Sequence, residues 1–437
     1  MRGDYVAVIQ GGGKGTRMVS LTQDRIPKPM LPLNGKPMLA WQIEDIAAYG
    51  IKEFVIIIGH LGEKIKEYFG DGAHYGVTIR YIEEQEPLGS AGALYYLRRM
   101  HPDRNFIFVF GDVMFRLDWA RMLSFHEEKR AEATLLAHPN SHPYDSDLLL
   151  LGKDGAVLGI DEKGNHRDYW YANCVNAGIY VLDRKLIRQF TKLEKRDLEK
   201  DVLLTRIHEG KIFAYLTPEY VKDAGTPERF AQAAEEQRRG IWEAKCLRNR
   251  QKCIFLDRDG TINRYDGLIY REEQLVLEEE AAEAIRKINQ SEYLAIVVTN
   301  QPVVARGLCG LEDVEAIHKK LETLLGEKGA YLDAIAFCPH HPDSGYPEEN
   351  PLYKIPCNCR KPKIGMIESM AEKFHTDLSA SYMVGDSTVD IQTGINAGMK
   401  TVLVKTGQAG KDGKYEVRAD REAENLLEAV TMILKGT

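Results

Sequence analysis

Cys253-Ile254-Phe255-Leu256-Asp257-Arg258-Asp259-Gly260-Thr261 is the stretch that decides the fold. Its apolar first half has the length and composition of a buried strand. Two carboxylates, Asp257 and Asp259, follow two positions apart, then a glycine that breaks the strand and a hydroxyl, Thr261. Carboxylates held at the C-terminal end of a strand suit Mg²⁺ binding and nucleophilic attack on phosphorus. Similar apolar runs recur at residues 6–9, 54–58, 106–110, 295–298 and 401–404, separated by helical patterns. That alternation predicts an α/β protein with largely parallel sheets.

The chain has 437 residues, enough for two or three domains. It is 44% hydrophobic and 28% charged, as ordinary globular domains are. A net charge of −7 argues against a dedicated nucleic-acid or anionic-membrane binder, so neither partner is expected. Seven unevenly placed cysteines do not fit a disulfide framework. The start of the chain lacks a secretory core and the longest apolar runs are strand-sized, which predicts a cytoplasmic protein. The charged stretch from Glu235 to Arg250 carries no strand pattern. It places a boundary near residue 245, with one domain over 1–240, a linker over about 241–250 and a second domain over 251–437.

The first domain opens with a strand running into Gln10-Gly11-Gly12-Gly13-Lys14-Gly15-Thr16-Arg17. Four glycines in five positions let backbone N–H groups approach a polyphosphate. The spacing fits neither the P-loop nor the dinucleotide turn. Lys28 is held between Pro27 and Pro29, and both Lys28 and Arg17 could address phosphate oxygens. Further along lie the loop Gln85-Glu86-Pro87-Leu88-Gly89-Ser90-Ala91-Gly92, the strand-terminal pair Gly111-Asp112, and Asp223-Ala224-Gly225-Thr226-Pro227.

Taken in order, these segments and Asn176-Ala177-Gly178-Ile179-Tyr180 resemble the sugar-1-phosphate nucleotidyltransferase family over residues 1 to about 235. The resemblance implies a mixed sheet and a role for each matching position. Asp112 and Asp223 would hold Mg²⁺. Gly11, Gly12, Gly13, Gly15 and Thr16, with Arg17 and Lys28, would cradle the triphosphate. Gln85, Gly89 and Ser90 would lie by the base, and Asn176 and Gly178 by the sugar. Glu162-Lys163 matches a pair that reaches the sugar and its phosphate in such enzymes, although Gly164 stands where proline usually follows. A sugar phosphate oxygen is already anionic, so its attack on the NTP α-phosphorus needs positioning and charge neutralisation more than acid–base help.

The second domain continues from Asp257 and Asp259 to Thr299 at a strand tip, Lys361 in Cys359-Arg360-Lys361-Pro362, and Gly385-Asp386 with Asp390 four residues on. This series resembles the haloacid dehalogenase-like (HAD) phosphatases. The resemblance implies that Asp257 forms an aspartyl phosphate, that Asp259 serves as acid and then base, and that Thr299 and Lys361 hold the phosphoryl group. Mg²⁺ would sit among Asp257, Asp386 and the backbone carbonyl of Asp259. The gaps between these motifs are too short for a cap domain, so an open site on a parallel sheet is expected.

The second gap holds Cys338-Pro339-His340-His341 and Cys357-Asn358-Cys359. Cys338, His340, Cys357 and Cys359 form a set suited to structural Zn²⁺, with His341 as a competing ligand. This loop makes residues 251–437 similar to the D-glycero-D-manno-heptose-1,7-bisphosphate 7-phosphatases and to histidinol-phosphate phosphatases. By that resemblance Asn263, Asn300, Gln301, Arg306 and Arg360 are candidates for substrate contacts. Residues Thr299-Asn300-Gln301-Pro302-Val303 depart from the heptose pattern, which has Ser-Gly where Pro302 and Val303 stand. Fusion to a sugar nucleotidyltransferase favours heptose 1,7-bisphosphate as first substrate and heptose 1-phosphate plus an NTP, GTP above the others, as the second pair. A nucleic-acid 3′-phosphatase and a non-catalytic sensor are the competing classes. The nucleobase, the sugar's stereochemistry and any oligomer stay open.

Overall fold

The computed structural model describes residues 2–13, 16–343, 345 and 348–436. Its backbone divides into two units. The first comprises the chain up to His138, Asp147–Glu162 and Val175–Cys246. The second comprises Pro139–Ser146, Lys163–Cys174 and the chain from Leu247 onward. Two short stretches of the N-terminal half therefore belong to the second unit, a division that no shift in composition announces.

The first unit is built on a nine-stranded mixed sheet. Tyr5–Gln10 lies at its middle, parallel to Asn105–Phe110 on one side and to Glu53–Ile58 on the other, with Thr78–Glu83 parallel beyond. Both central neighbours read as unbroken apolar runs because helices cover both faces, and the side chains of Phe106, Ile107, Phe108 and Val109 are fully buried. Each such side chain contributes about 1.5–3 kcal/mol relative to exposure. Val175–Leu182 runs antiparallel to Asn105–Phe110 and makes the sheet mixed. A separate ribbon pairs Val113–Arg116 with Tyr220–Asp223 and sets Asp223 opposite Val113, next to Asp112.

The second unit holds a six-stranded, all-parallel sheet. Its order is Ala334–Cys338, Tyr293–Asn300, Lys252–Leu256, Tyr382–Gly385, Lys400–Val404, Arg421–Ala423. The first strand in sequence lies inside the sheet, so the chain winds outward in both directions from it. At such a switch point a crevice opens beyond the carboxyl ends of the strands. Asp257 follows one central strand, Asp386 follows the other, and Thr299 closes a third. Val303 is fully buried and packs with Val304 and Val314, so the departure at Pro302-Val303 adds core contact.

Candidate active sites

In the first unit a cleft of about 390 Å³ opens at the carboxyl ends of the central strands. It is lined by Gly11, Gly12, Gly13, Arg17, Lys28 and Asp112, with Gly89 and Ser90 on the opposite loop. Gly15 lies outside the described residues, as does the side chain of Thr16. Gly89 has φ +75, and a Cβ there would lie 2.3 Å from the Arg196 carbonyl oxygen, so only glycine lets the loop fold down. Lys28 is nearly buried and donates to Asp112 at 2.5 Å. Arg229 donates to Asp223 at 2.7 Å, and the Gly225 amide caps the same carboxylate at 2.7 Å. A Cβ on Gly225 would meet Asp223, Arg17 and Lys28 within 3.2 Å, which places both cations and this carboxylate around one point.

Two residues that sequence reasoning missed line this cleft, Gln10 and Glu84. Burial pushes the Glu84 carboxyl upward, while the Leu88 backbone and the Gln10 side chain partly offset it. Its Oε1 is buried with no hydrogen-bond partner. Gln85, the residue picked from sequence, is exposed and outside the lining. Glu84 and Gln85 both lie just past the strand Thr78–Glu83, where no periodicity says which side chain faces the cleft. Asn176 donates to Tyr180 at 3.0 Å and to Glu199 at 2.6 Å, and its Oδ1 accepts from the Gly178 amide at 3.3 Å. Glu162 pairs with Lys200 at 2.5 Å, and Lys163 falls in the second unit. None of Glu162, Lys163, Asn176 and Gly178 is among the residues lining the cleft.

In the second unit Asp257, Asp386 and Asp390 bring carboxylate oxygens within 4.8 Å of one another. Lys361, almost fully buried, reaches Asp257 at 2.9 Å and Asp390 at 2.6 Å. Burial first, then the neighbouring carboxylates, raise Asp257 to about 7 and Asp386 to about 8. One lysine among three buried acids leaves excess negative charge, which an oxygen-ligated divalent cation relieves. The donor set therefore fits a metal ion, with the Asp390 carboxylate joining Asp257 and Asp386. Gly260, at φ +81, is required here, since a Cβ would stand 2.4 Å from Asp386 Oδ2.

Asp259 is not part of that cluster. Its Oδ1 accepts from Arg258 Nε at 3.0 Å and from Asn263 at 3.1 Å, and its Oδ2 from Gln301 at 2.8 Å. Burial acts upward on this carboxyl, yet the Arg258 guanidinium, with Gln301 and Asn263, holds it below the usual carboxylate range. Gln301 also donates to the buried Thr299 hydroxyl at 2.9 Å. Asn300 spends its amide on the Lys361 backbone, at 3.1 and 2.9 Å. Arg360 donates to the His340 carbonyl at 3.2 Å, and the Arg306 amide to Pro302 at 2.9 Å. So Asn263, Asn300 and Gln301 brace the acids and Lys361 in this structure.

Beside this site Cys338, His340, Cys357 and Cys359 gather their ligand atoms within 4.8 Å of one another. Neighbouring separations run from 3.1 Å for Cys338–Cys359 to 3.7 Å for Cys338–His340. None of the four is in a disulfide or outside the set, so the cluster could hold a metal ion. His341 is not part of it; its Nδ1 accepts from the Asp343 amide at 3.1 Å. No helix among the described residues is long and apolar enough to cross a membrane.

Comparison with known proteins agrees with both geometries. The nucleotidyl transferase family matches residues 6–240, and the HAD-hydrolase-like family matches residues 358–429. A D-glycero-alpha-D-manno-heptose 1-phosphate guanylyltransferase of Aneurinibacillus thermoaerophilus is 30% identical over 230 residues, 53% of this chain and 97% of its own length. A mannose-1-phosphate guanylyltransferase of Mycobacterium tuberculosis is 32% identical over 245 residues, 55% of this chain and 67% of its own length. A D-glycero-D-manno-heptose-1,7-bisphosphate 7-phosphatase of Chlorobaculum tepidum is 36% identical over 193 residues, 42% of this chain and 95% of its own length. The chain thus belongs to the nucleotidyl transferase family through residues 6–240 and is a fusion of that enzyme with a C-terminal HAD-like phosphatase.

Proposed function

We propose that the chain performs two consecutive steps in making a nucleotide-activated heptose. The C-terminal site removes the 7-phosphate of D-glycero-D-manno-heptose 1,7-bisphosphate. The N-terminal site then joins heptose 1-phosphate to a nucleotidyl group from GTP and releases pyrophosphate. What carries this reading is that relatives named for successive forms of one heptose align with the two halves over 95% and 97% of their own lengths. The acidic chain, with no kinase P-loop, weighs against nucleic-acid ends as substrate.

In the phosphatase step a carboxylate oxygen of Asp257 attacks phosphorus, and the bond from phosphorus to the sugar oxygen breaks. Asp259, held ionised by Arg258, Gln301 and Asn263 in this structure, must first take up a proton; it would give that proton to the leaving oxygen and then take one from the water that hydrolyses the aspartyl phosphate. Lys361 and Thr299 hold the phosphoryl oxygens, and Lys361 offsets their charge. A Mg²⁺ ion held by Asp257, Asp386 and Asp390 would neutralise phosphate charge. Zn²⁺ in the Cys338, His340, Cys357 and Cys359 set would fix the loop that carries Arg360 and Lys361.

In the transferase step Arg17 and Lys28 steady the triphosphate while the sugar phosphate attacks in line. Asp112 and Asp223 would hold Mg²⁺ beside it. The GTP preference rests on Glu84. Glu84 lines the cleft, and a carboxylate turned to face a base there would accept from guanine N1–H and N2–H together, whereas no other common base offers that donor pair.

The test supplies the purified chain with heptose 1,7-bisphosphate, mannose 1-phosphate or histidinol phosphate, with each NTP in turn. The reading expects phosphate release from the heptose bisphosphate above histidinol phosphate. It also expects pyrophosphate with GTP, and a fall of about 10–100-fold in GTP preference for Glu84→Gln, the scale of one lost charged hydrogen bond. Equal use of histidinol phosphate, or a base preference unmoved by Glu84→Gln, contradicts it.

A further inference from the structure

Arg258 stands between the two carboxylates of the phosphatase motif and has no assigned part in the reaction. Its side chain is fully buried, with no solvent exposure. A guanidinium so placed needs partners for its donors. Nε donates to Asp259 Oδ1 at 3.0 Å. Nη2 donates to Asp259 Oδ1 at 2.8 Å and to Oδ2 at 2.9 Å. The same nitrogen donates to Gln301 Oε1 at 3.0 Å. Nη1 faces His318 Nε2 at 3.3 Å.

His318 lies on the helix Leu311–Glu327, and its ring meets Phe337 edge-on at 5.2 Å. Burial and the neighbouring guanidinium push the His318 imidazole down to about 3, so it is neutral and its Nε2 can accept from Nη1. Three elements thus converge on one guanidinium: the loop after Lys252–Leu256, the end of Tyr293–Asn300, and a helix. The guanidinium in turn grips both oxygens of a single carboxylate. A fork of this kind fixes direction as well as charge, which a lysine ammonium cannot do.

We propose that Arg258 is a positioning residue that sets the orientation of the Asp259 carboxylate, with His318 as its backing. This rests on the reading of Asp259 as the acid–base group. Without the fork, Asp259 no longer meets the leaving sugar oxygen or the hydrolytic water at the angle proton transfer needs. Attack by Asp257 on phosphorus does not pass through the Arg258 side chain; the Arg258 backbone amide, which donates to Asp257 Oδ1 at 2.7 Å, is kept in every variant.

The experiment compares heptose 1,7-bisphosphate, whose alkoxide leaves only with a proton, with p-nitrophenyl phosphate, whose phenolate leaves without one. The full chain is used with Mg²⁺, as wild type, Arg258→Gln, Arg258→Lys, His318→Leu and Asp259→Asn. Arg258→Gln is expected to lower kcat on the heptose bisphosphate about 100-fold with little change in KM, the scale of lost general acid catalysis. With p-nitrophenyl phosphate it should keep a first-turnover burst of nitrophenolate and then stall at the aspartyl phosphate. Arg258→Lys should behave alike, since it keeps the charge and loses the fork, and His318→Leu should show a smaller loss in the same ratio.

Loss of the burst together with turnover, in a folded variant that still transfers nucleotide, would overturn the proposal by making Arg258 a general support of the site. So would full activity of Arg258→Lys. Should both Arg258 variants fail to fold, His318→Leu decides: a substrate ratio equal to wild type overturns the proposal, and a shifted ratio supports it. If Asp259→Asn itself turns over the heptose bisphosphate normally, the acid–base reading fails first, and that outcome is distinct.

Discussion

In the transferase cleft the two acids proposed to hold metal each have a cation: Asp112 is matched by Lys28 at 2.5 Å and Asp223 by Arg229 at 2.7 Å. In the phosphatase cleft Asp257, Asp386 and Asp390 share Lys361. In the first cleft these acids are paired before any ligand arrives, and Arg17 adds a further cation to the lining. The second is over-acidic and buried, so it is poised for a resident cation. Both steps bring an anionic nucleophile to an anionic phosphorus; the transferase cleft meets this with Arg17 and Lys28, whereas the phosphatase cleft has Lys361 among three acids.

Splitting the two clefts by mutation is the strongest way to break the comparison. Asp257→Asn should cut orthophosphate release by about 10⁴-fold or more, as loss of a nucleophile does, and leave transfer onto supplied heptose 1-phosphate unchanged. Asp112→Ala should cut pyrophosphate release by about 10³-fold and spare the phosphatase. Coupled phosphate and pyrophosphate assays on both variants read this directly. A single change that silences both activities in a folded chain would end the independent-site account.

Removing the cations sharpens it. Lys361→Ala leaves three buried carboxylates unmatched and should cost about 3–5 kcal/mol in metal-free denaturant unfolding. Lys28→Ala frees one partly exposed carboxylate and should cost about 1 kcal/mol, with its main effect on transfer.

A subtler contrast lies in pH. Asp257 and Asp386 rise from an ordinary 3.8 to about 7 and about 8, through burial first and then mutual repulsion. A raised carboxyl binds its proton more tightly in the folded state than in the unfolded chain. Its contribution is therefore full below the unfolded pKa and is lost as pH climbs through 7 to 8. Metal-free chain should lose stability from about pH 4 up to 8 and level off above, and Asp386→Asn should flatten the decline. Added Mg²⁺ without nucleotide should restore about 2.7 kcal/mol at a hundredfold excess over its Kd, seen as a shifted melting curve. An equal Mg²⁺ shift in Asp386→Asn would contradict the resident-cation reading.

Much of this was legible in sequence because the chemistry sits where strand patterns end. The run into Asp257 and the pair Gly111-Asp112 were each marked by an apolar strand breaking at a polar residue, and the Cys338 loop by the spacing of its cysteines and histidine. The sheets followed from the same alternation. What escaped reading was side-chain direction. Gln85 was named as lying near the base, whereas Glu84, its neighbour just past the strand Thr78–Glu83, lines the cleft. Asn263, Asn300 and Gln301 carry substrate-binding chemistry but spend it on Asp259 and Lys361. Arg258 was given no role from sequence, since nothing local says a charged residue will be fully buried. The contribution of Pro139–Ser146 and Lys163–Cys174 to the second unit was invisible for a related reason: long-range pairing leaves no local pattern.

The central claim is that one polypeptide first strips and then activates the same sugar. Phosphorus NMR of heptose 1,7-bisphosphate with GTP and Mg²⁺ follows every phosphate in one tube. The account predicts loss of the 7-phosphate signal first, then matched growth of pyrophosphate and a sugar-linked diphosphate. A nucleotide-linked product that still carries its 7-phosphate, or orthophosphate with no pyrophosphate, would contradict it.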